Sequence, residues 1–190
     1  MPRPPSRRLA SSGFTLTEVL IALGIGAALT AAAAPALVDM AAQREQMESS
    51  DRLATSLRVA RSQAVFGSAR VTICPADYGQ SPPRCASAGG DWSGGWLAYA
   101  DVADEGAAST FDPEHGDRLL FAQPALESGV ALVAFGEEVS AIRFESDGTV
   151  RRNEAPFGTT TWKLTSTGSV QRWVCLNALG RVSVASGGAC

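Results

Sequence analysis

The sequence predicts an α+β protein in which one long N-terminal helix packs on antiparallel β-sheets. Two observations carry this prediction. An apolar segment begins at Phe14 and its helical periodicity continues to Phe66. From residue 69 onward, short segments rich in Val, Ile, Thr and aromatic residues alternate with Gly, Asp and Ser. A chain of 190 residues allows one modest domain with an additional N-terminal segment.

Residues 1–13 differ in composition from the rest of the chain. They are rich in Pro, Ser and Arg and end in Gly13, immediately before an abrupt change to apolar residues. Three of the sixteen basic residues lie here, so the formal net charge of −3 becomes −6 for everything after Gly13. Such an acidic body argues against a protein that coats nucleic acid through its overall positive charge.

Residues 14–38 form a candidate transmembrane helix. The segment has Glu18 as its only charge and, at about 1.5 Å per residue, is long enough to cross a bilayer. Arginines precede it and none follows immediately, which predicts a cytoplasmic N-terminus and an exported body. Glu18 needs a partner or a function, because a carboxylate inside a membrane costs about 2.5–3.5 kcal/mol.

The junction Gly13-Phe14-Thr15-Leu16-Thr17-Glu18 resembles the prepilin peptidase site of type IV pilins and type II secretion pseudopilins. The resemblance implies a prepilin leader over residues 1–13, cleavage after Gly13 and N-methylation of Phe14. It also implies that Glu18 pairs with the N-terminal ammonium of a neighbouring subunit during assembly. Methylation retains that positive charge, and the attraction is stronger in low dielectric than in water. Pro35 is expected to interrupt or bend the helix, as in many pilins.

An ordinary secretory signal peptide is the alternative for the same segment. Its cleavage site would lie in the alanine-rich stretch of residues 30–35. The apolar core of a signal peptide rarely begins with a glutamate, and glycine and phenylalanine stand at the required junction. Several independent local features therefore favour the prepilin interpretation.

Residues 39–67 continue the helix as an amphipathic segment that ends near Gly67, a candidate C-cap. Its apolar positions recur at helical spacing and are expected to face a sheet of the same chain: Leu53, Leu57, Ala60 and Ala64.

Residues 68–190 are predicted to form a β-rich domain that contains disulfides. Turn signals at residues 146–148 and 167–169 predict hairpins. The candidate strands are 70–74, 96–101, 119–122, 130–135, 139–145, 149–151, 160–164, 170–176 and 181–184.

The four cysteines form two sequence-local pairs without the CxxC spacing of zinc or redox sites. Disulfides in an oxidising compartment are therefore expected. Four cysteines allow three connectivities. The short-range pairs Cys74–Cys85 and Cys175–Cys190 are favoured, because each closes a loop worth about 3 kcal/mol in the chain-entropy model.

Within the pilins, the body resembles the GspH/FimT-type pseudopilins. The matching stretches are residues 60–64, 71–75, 91–96, 142–144 with 147–148, and 180–182. The resemblance implies a type IV pilin-like fold and a structural subunit, a minor pilin or pseudopilin involved in assembly of a type IV pilus or its tip. It also implies the partners: prepilin peptidase, other pilins of a filament and the inner membrane, with the C-terminal domain in the periplasm. We expect no catalysis, no cofactor and no metal.

Two alternatives stay open for the function. FimT-like members of the family bind DNA through a C-terminal motif resembling Gly-Arg-x-Arg, whereas this chain has Ser183 in place of the second arginine. The arginines that could still form a phosphate-binding patch are Arg143, Arg151, Arg152, Arg172 and Arg181. The other alternative, a GspH-like pseudopilin of type II protein secretion, is hardly separated from the main interpretation by the sequence.

Other candidate sites are weaker. No serine or cysteine nucleophile lies in a recognisable motif around His115, the single histidine. The carboxylates of residues 101–117 lack the EF-hand spacing, which favours a solvated loop over a calcium site. Trp92, Trp96 and Tyr99 are expected to pack in the core rather than to form a binding platform.

Overall fold

The fold comes from a computed structural model, which describes residues 14–87, 89–102, 111–135, 139–152, 155–156, 158–166 and 171–188. The chain divides into two compact units, Met1–Val38 and Asp39–Cys190. Helix α1, Leu16–Gly67, contributes residues to both units. Its C-terminal end coincides with the predicted C-cap at Gly67. Pro35 lies inside α1, which is not interrupted there, and the alternative that Pro35 bends the helix stays a prediction.

In the first unit, every described residue from Phe14 to Val38 is exposed. The apolar side chains therefore pack against nothing within this unit. By length and composition alone, α1 is a helix that could cross a membrane. The described part of this unit has no core of its own, as expected for a segment that buries its surface in lipid or between other helices.

The second unit contains the end of α1 and two antiparallel sheets. Within the described residues, the first sheet has the order β4-β3-β1-β6-β7-β8, with β2 on one end of β1. Its strands are β1 (Arg70–Asp77), β2 (Arg84–Cys85), β3 (Trp96–Asp101), β4 (Arg118–Gln123), β6 (Ile142–Phe144), β7 (Val150–Arg152) and β8 (Ala155–Pro156). The second sheet has the order β11-β10-β9-β5, formed by β5 (Val130–Phe135), β9 (Thr159–Ser166), β10 (Arg172–Asn177) and β11 (Val182–Ser186). One helix packed on antiparallel sheets confirms the predicted fold class.

The core lies where α1 meets the two sheets. Leu53, Leu57, Ala60 and Ala64 are fully buried in it, which confirms the predicted apolar stripe. Burying a leucine side chain contributes about 1.5–3 kcal/mol, so this face of α1 is a main source of stability for the second unit. The tryptophans and tyrosine predicted to be in the core are buried as well: Trp92, Trp96 and Tyr99.

The disulfide prediction is confirmed for one pair. Cys74 and Cys85 are bonded, with their Cα atoms 5.6 Å apart, and join β1 to the short strand β2. Cys175 is also disulfide-bonded. Its predicted partner, Cys190, lies outside the described residues, so the pairing Cys175–Cys190 stays a prediction.

The acidic stretch 101–117 is not the fully solvated loop that the sequence predicts. Asp101 and Asp117 are buried, whereas residues 103–110 lie outside the described part. The carboxylate of Asp117 accepts hydrogen bonds from the backbone N–H groups of Val102 and Asp112, at 3.0 and 2.9 Å. Asp117 therefore ties the two ends of this connection together, which is a structural use for a carboxylate rather than a ligand site.

Candidate functional site

Glu18 lies in the first turn of α1, and Thr15 holds its carboxylate. Glu18 Oε2 accepts hydrogen bonds from the backbone N–H and the hydroxyl of Thr15, both at 2.9 Å, and the Glu18 N–H donates to Thr15 Oγ1 at 3.3 Å. This reciprocal arrangement is a capping box, which satisfies free N–H groups at the start of a helix. The sequence signal for it is Thr15-Leu16-Thr17-Glu18, in which threonine and glutamate are three residues apart at the start of the apolar run.

The capping box fixes the position of the only charge in the apolar segment. An ionised carboxylate has about four lone-pair sites, so two donors on one oxygen leave sites for a further donor. The junction predicted for cleavage is directly adjacent, since Phe14 precedes Thr15. Gly13 lies outside the described residues, and the cleavage itself stays a prediction.

Of the five predicted phosphate-binding arginines, the four whose side chains the structure describes are not brought together. Arg143 is largely buried on β6, and its Nη2 lies 3.2 Å from Oδ2 of Asp101. It is therefore committed to an internal ion pair and is not a surface residue, which corrects the prediction for this position. Arg151 is paired with Glu145 at 3.2 Å, and the side chain of Arg152 lies outside the described part.

Arg172 and Arg181 lie beside positions of α1 that are well separated along the helix. Arg172 Nε donates to Ser50 Oγ at 3.2 Å, whereas Arg181 lines a groove together with Arg61. Ser50 and Arg61 are eleven residues apart, or about 16 Å along a helix. The predicted set is therefore dispersed, and it does not favour the DNA-binding alternative.

A different set of arginines does converge, at the C-terminal end of α1. A groove of about 750 Å³ lies between α1 and the turns that follow β6 and β10. We call it the basic groove and define it by Arg58, Arg61, Val65, Phe66, Leu179 and Arg181. Arg58 and Arg61 were not among the predicted site residues, although their spacing of three places them on neighbouring positions of one helix face.

Arg61 is the residue around which the basic groove is built. Its Nε donates to the backbone carbonyl of Gly148 at 3.1 Å. Gly148 and Gly180 both have positive φ angles, of 79° and 74°. A Cβ atom at Gly180 would lie 2.5 Å from Arg61 Nε and from the Gly148 carbonyl oxygen. Glycine at these two turns therefore lets the backbone approach the guanidinium closely.

Asp147 also lines the basic groove, but its carboxylate is engaged in its own turn. Asp147 Oδ1 accepts from the Thr149 hydroxyl at 2.6 Å and from the Thr149 N–H at 2.8 Å. These hydrogen bonds lower the pKa of Asp147. The predicted hairpin at residues 146–148 is present, because β6 pairs with β7 and the Gly148 N–H donates to the Glu145 carbonyl at 2.8 Å.

The remaining candidate sites are His115 and a metal site formed by carboxylates. His115 Nδ1 lies 2.7 Å from Asp112 Oδ2, and this hydrogen bond raises the pKa of the histidine. Both groups are exposed at the short 3₁₀ turn Pro113–His115. Over the described ranges, no group of three or more His, Cys, Asp or Glu side chains is placed to hold a metal ion.

Two family models match the chain. One, described as type II transport protein GspH, matches residues 49–180. The other, the prokaryotic N-terminal methylation motif, matches residues 8–34. No curated protein gives a significant match.

Similar folds occur among solved structures. Two crystal structures of the type IV minor pilin FimU of Pseudomonas aeruginosa match with TM-scores of 0.53 and 0.50, each at 17% identity. The matches cover 75% and 73% of this chain and 90% and 91% of FimU. The minor pseudopilin EpsH from the type 2 secretion system of Vibrio cholerae matches with a TM-score of 0.49 and 14% identity, over 76% of this chain and 98% of EpsH.

The sequence models and the fold agree on one class of protein. The GspH model covers more than half of the chain, and the methylation motif covers the junction where the prepilin site was predicted. The likeness to FimU shows the fold, a long helix on antiparallel sheets. The chain therefore belongs to the GspH family and is a pilin-like protein of the minor pilin and pseudopilin class.

Proposed function

We propose that this protein is a structural subunit of a type IV pilus, inserted in the inner membrane through residues 14–38 and incorporated at or near the pilus tip. Prepilin peptidase cleaves it after Gly13 and Phe14 is methylated. The second unit is periplasmic, where an oxidising environment maintains the Cys74–Cys85 disulfide. Its role is assembly and not catalysis.

The observation that carries this proposal is the start of α1. The exposed apolar segment of residues 14–38 has one carboxylate near its start, which Thr15 holds beside the proposed processing junction. In the filament the apolar side chains pack against the helices of neighbouring subunits. Glu18 accepts the N-terminal ammonium of a neighbour, in a medium where the attraction between the two charges is stronger than in water.

Mass spectrometry of the mature N-terminus tests the processing step. The expected N-terminal residue is methylated Phe14. A mature terminus within residues 34–36 would show that the segment is an ordinary signal peptide and would end the proposal.

Substitutions at Glu18 test the assembly step. Glu18→Ala and Glu18→Gln should both insert in the membrane but be lost from sheared filaments. The glutamine variant retains an acceptor for the Thr15 hydrogen bonds, so its failure isolates the role of the charge from that of the helix cap. Asp39→Ala, which removes an exposed carboxylate further along α1, is the matched control and should assemble normally. Normal incorporation of Glu18→Gln would contradict the proposed ion pair.

A pseudopilin of type II secretion is the second candidate function. The specific observation in its favour is the match of residues 49–180 to the GspH family model. Deletion of the protein distinguishes the two candidates. Loss of surface pili with normal protein secretion supports the pilus assignment, and the reverse supports the secretion assignment.

A further inference from the structure

The basic groove has the chemistry of a peptide-binding site. We infer that it docks an acidic segment bearing an aromatic or aliphatic side chain, contributed by a neighbouring subunit. That the segment comes from a neighbouring subunit depends on the proposed function as a filament subunit. Its chemical character is inferred from the residues of the groove alone.

Charge is the first argument. Among the described residues that line it, the groove presents the guanidinium groups of Arg58, Arg61 and Arg181 against one carboxylate, that of Asp147, a net charge of +2. Residues 39–190 contain thirteen basic and eighteen acidic residues, a net charge of −5. A positive groove on an acidic body attracts a negatively charged segment of a partner.

Two of these arginines are free to bind. Arg58 and Arg181 are exposed and form no ion pair with the residues that the structure describes. Arg61 differs, because its Nε is bonded to the Gly148 carbonyl. Its guanidinium is therefore already held in place in the unbound protein, so less conformational entropy is lost when a partner binds. Arg58 and Arg181 can form charge-assisted hydrogen bonds with the carboxylates of a partner.

Exposed apolar surface is the second argument, and it is independent of charge. Phe66 is 87% exposed, Leu179 is 69% exposed and Val65 is 41% exposed, and all three line the same groove. Single exposed apolar residues are common, but a cluster rimmed by charged groups is typical of an interaction surface. Phe66 and the arginines also belong to the residue types that are enriched in protein interfaces.

The combination favours a peptide over nucleic acid. A sugar-phosphate backbone would satisfy the arginines but would leave Val65 and Leu179 without an apolar partner. A peptide that has both carboxylates and an apolar side chain complements the arginines and the apolar residues of the groove. A DNA duplex is therefore the competing ligand in the test.

The test uses the mature full-length protein in lipid nanodiscs and a fluorescent peptide, Asp-Glu-Leu-Asp-Phe-Glu, followed by anisotropy. Two comparison peptides replace the carboxylates by amides or replace Leu and Phe by Ser. The acidic apolar peptide should bind most tightly, and its affinity should fall as salt increases. The double variant Arg58→Ala/Arg181→Ala and the single variant Phe66→Ser should each weaken binding about tenfold.

Arg118→Ala is the matched control, because Arg118 is exposed on β4 and does not line the groove. It should bind the peptide like the unaltered protein. All altered residues are exposed, and retention of the Cys74–Cys85 disulfide and of the circular dichroism spectrum verifies their folding.

Three results would overturn the inference: no binding, equal binding of the amide peptide, or equal binding by the groove variants. Tighter binding of a 20-bp duplex than of the peptide, lost in Arg58→Ala/Arg181→Ala, would assign the groove to nucleic acid instead. The proposed function is tested separately, since these variants should still be cleaved and methylated at Phe14. If a photo-crosslinker placed at Phe66 in cells joins only proteins outside the filament, the assigned source of the segment is wrong.

Discussion

Replacing Arg143 by methionine should destabilise the second unit strongly. Arg143 and Asp101 are 12% and 6% exposed, and their side chains are 3.2 Å apart. Thr72 also donates a side-chain hydrogen bond to Asp101, at 3.2 Å. Removal of the guanidinium takes away the main counter-charge of a buried carboxylate, since Arg70 contributes less to lowering its pKa, and this costs about 3–5 kcal/mol. Typical domains have only about 5–15 kcal/mol of unfolding free energy, so the effect is large.

The loss of unfolding free energy in Arg143→Met should depend on pH, because it involves the ionisation of Asp101. Burial raises the pKa of Asp101, and Arg143 opposes this increase. Without Arg143 the pKa of Asp101 in the folded state rises further above its value in the unfolded chain. A carboxyl group with a raised folded-state pKa favours folding at low pH, and this contribution is lost as pH rises through that pKa. The deficit of the variant should therefore be largest at neutral pH and shrink in acid.

Urea unfolding of residues 39–190, followed by tryptophan fluorescence, measures the effect because Trp92, Trp96 and Trp162 are fully buried. Arg151→Met is the matched control. Its ion pair with Glu145 is partly exposed, at 55% and 24%, so the change should stay below about 1 kcal/mol. The double variant Asp101→Asn/Arg143→Met should recover much of the loss, because it removes the unpaired charge. A deficit below 1 kcal/mol for Arg143→Met, or one independent of pH, would refute this account of the pair.

Three further predictions follow from the fold. Gly180→Ala should destabilise the second unit by at least about 1–2 kcal/mol, because it forces a side chain into left-handed backbone and against Arg61; urea unfolding measures this, and an unchanged midpoint would contradict it. Leu57→Ala should cost about 2–5 kcal/mol through a cavity under α1, measured as a lower Tm, whereas the exposed control Thr55→Ala should change little. The NMR-measured pKa of His115 should fall in Asp112→Asn, since the hydrogen bond to Asp112 raises it; an unchanged pKa would show that the contact is absent in solution.

Much of the fold could be predicted from the chain. The helix end at Gly67 and both ends of β3 and β5 agree with the predicted positions, because apolar periodicity and turn residues are local signals. The two-residue strands β2 and β8 were missed. Such short segments carry too few residues for a periodic signal and are specified by their partner strands, β1 and β7.

The candidate sites also divide into those that local sequence predicts and those that depend on tertiary structure. The Glu18 capping box is formed by residues three apart and was open to prediction from sequence alone. The pairing of Arg143 with Asp101 was not, because it depends on strand register: on β1, Thr72 lies opposite Arg143 and Arg70 opposite Asp101. The sequence presented these arginines as equivalent, whereas sheet pairing buried one of them and left others at the surface.

By itself, the sequence determined which family this protein belongs to and where its N-terminal methylation motif lies. Its apolar segment, its single carboxylate and the Gly13-Phe14 junction act through local chemistry, which needs no tertiary structure to be recognised. Only the tertiary structure decided which charges are available to a partner. Arg58 and Arg181 are 123 residues apart in the chain, and they line one groove because α1 and the turn after β10 pack together around Arg61.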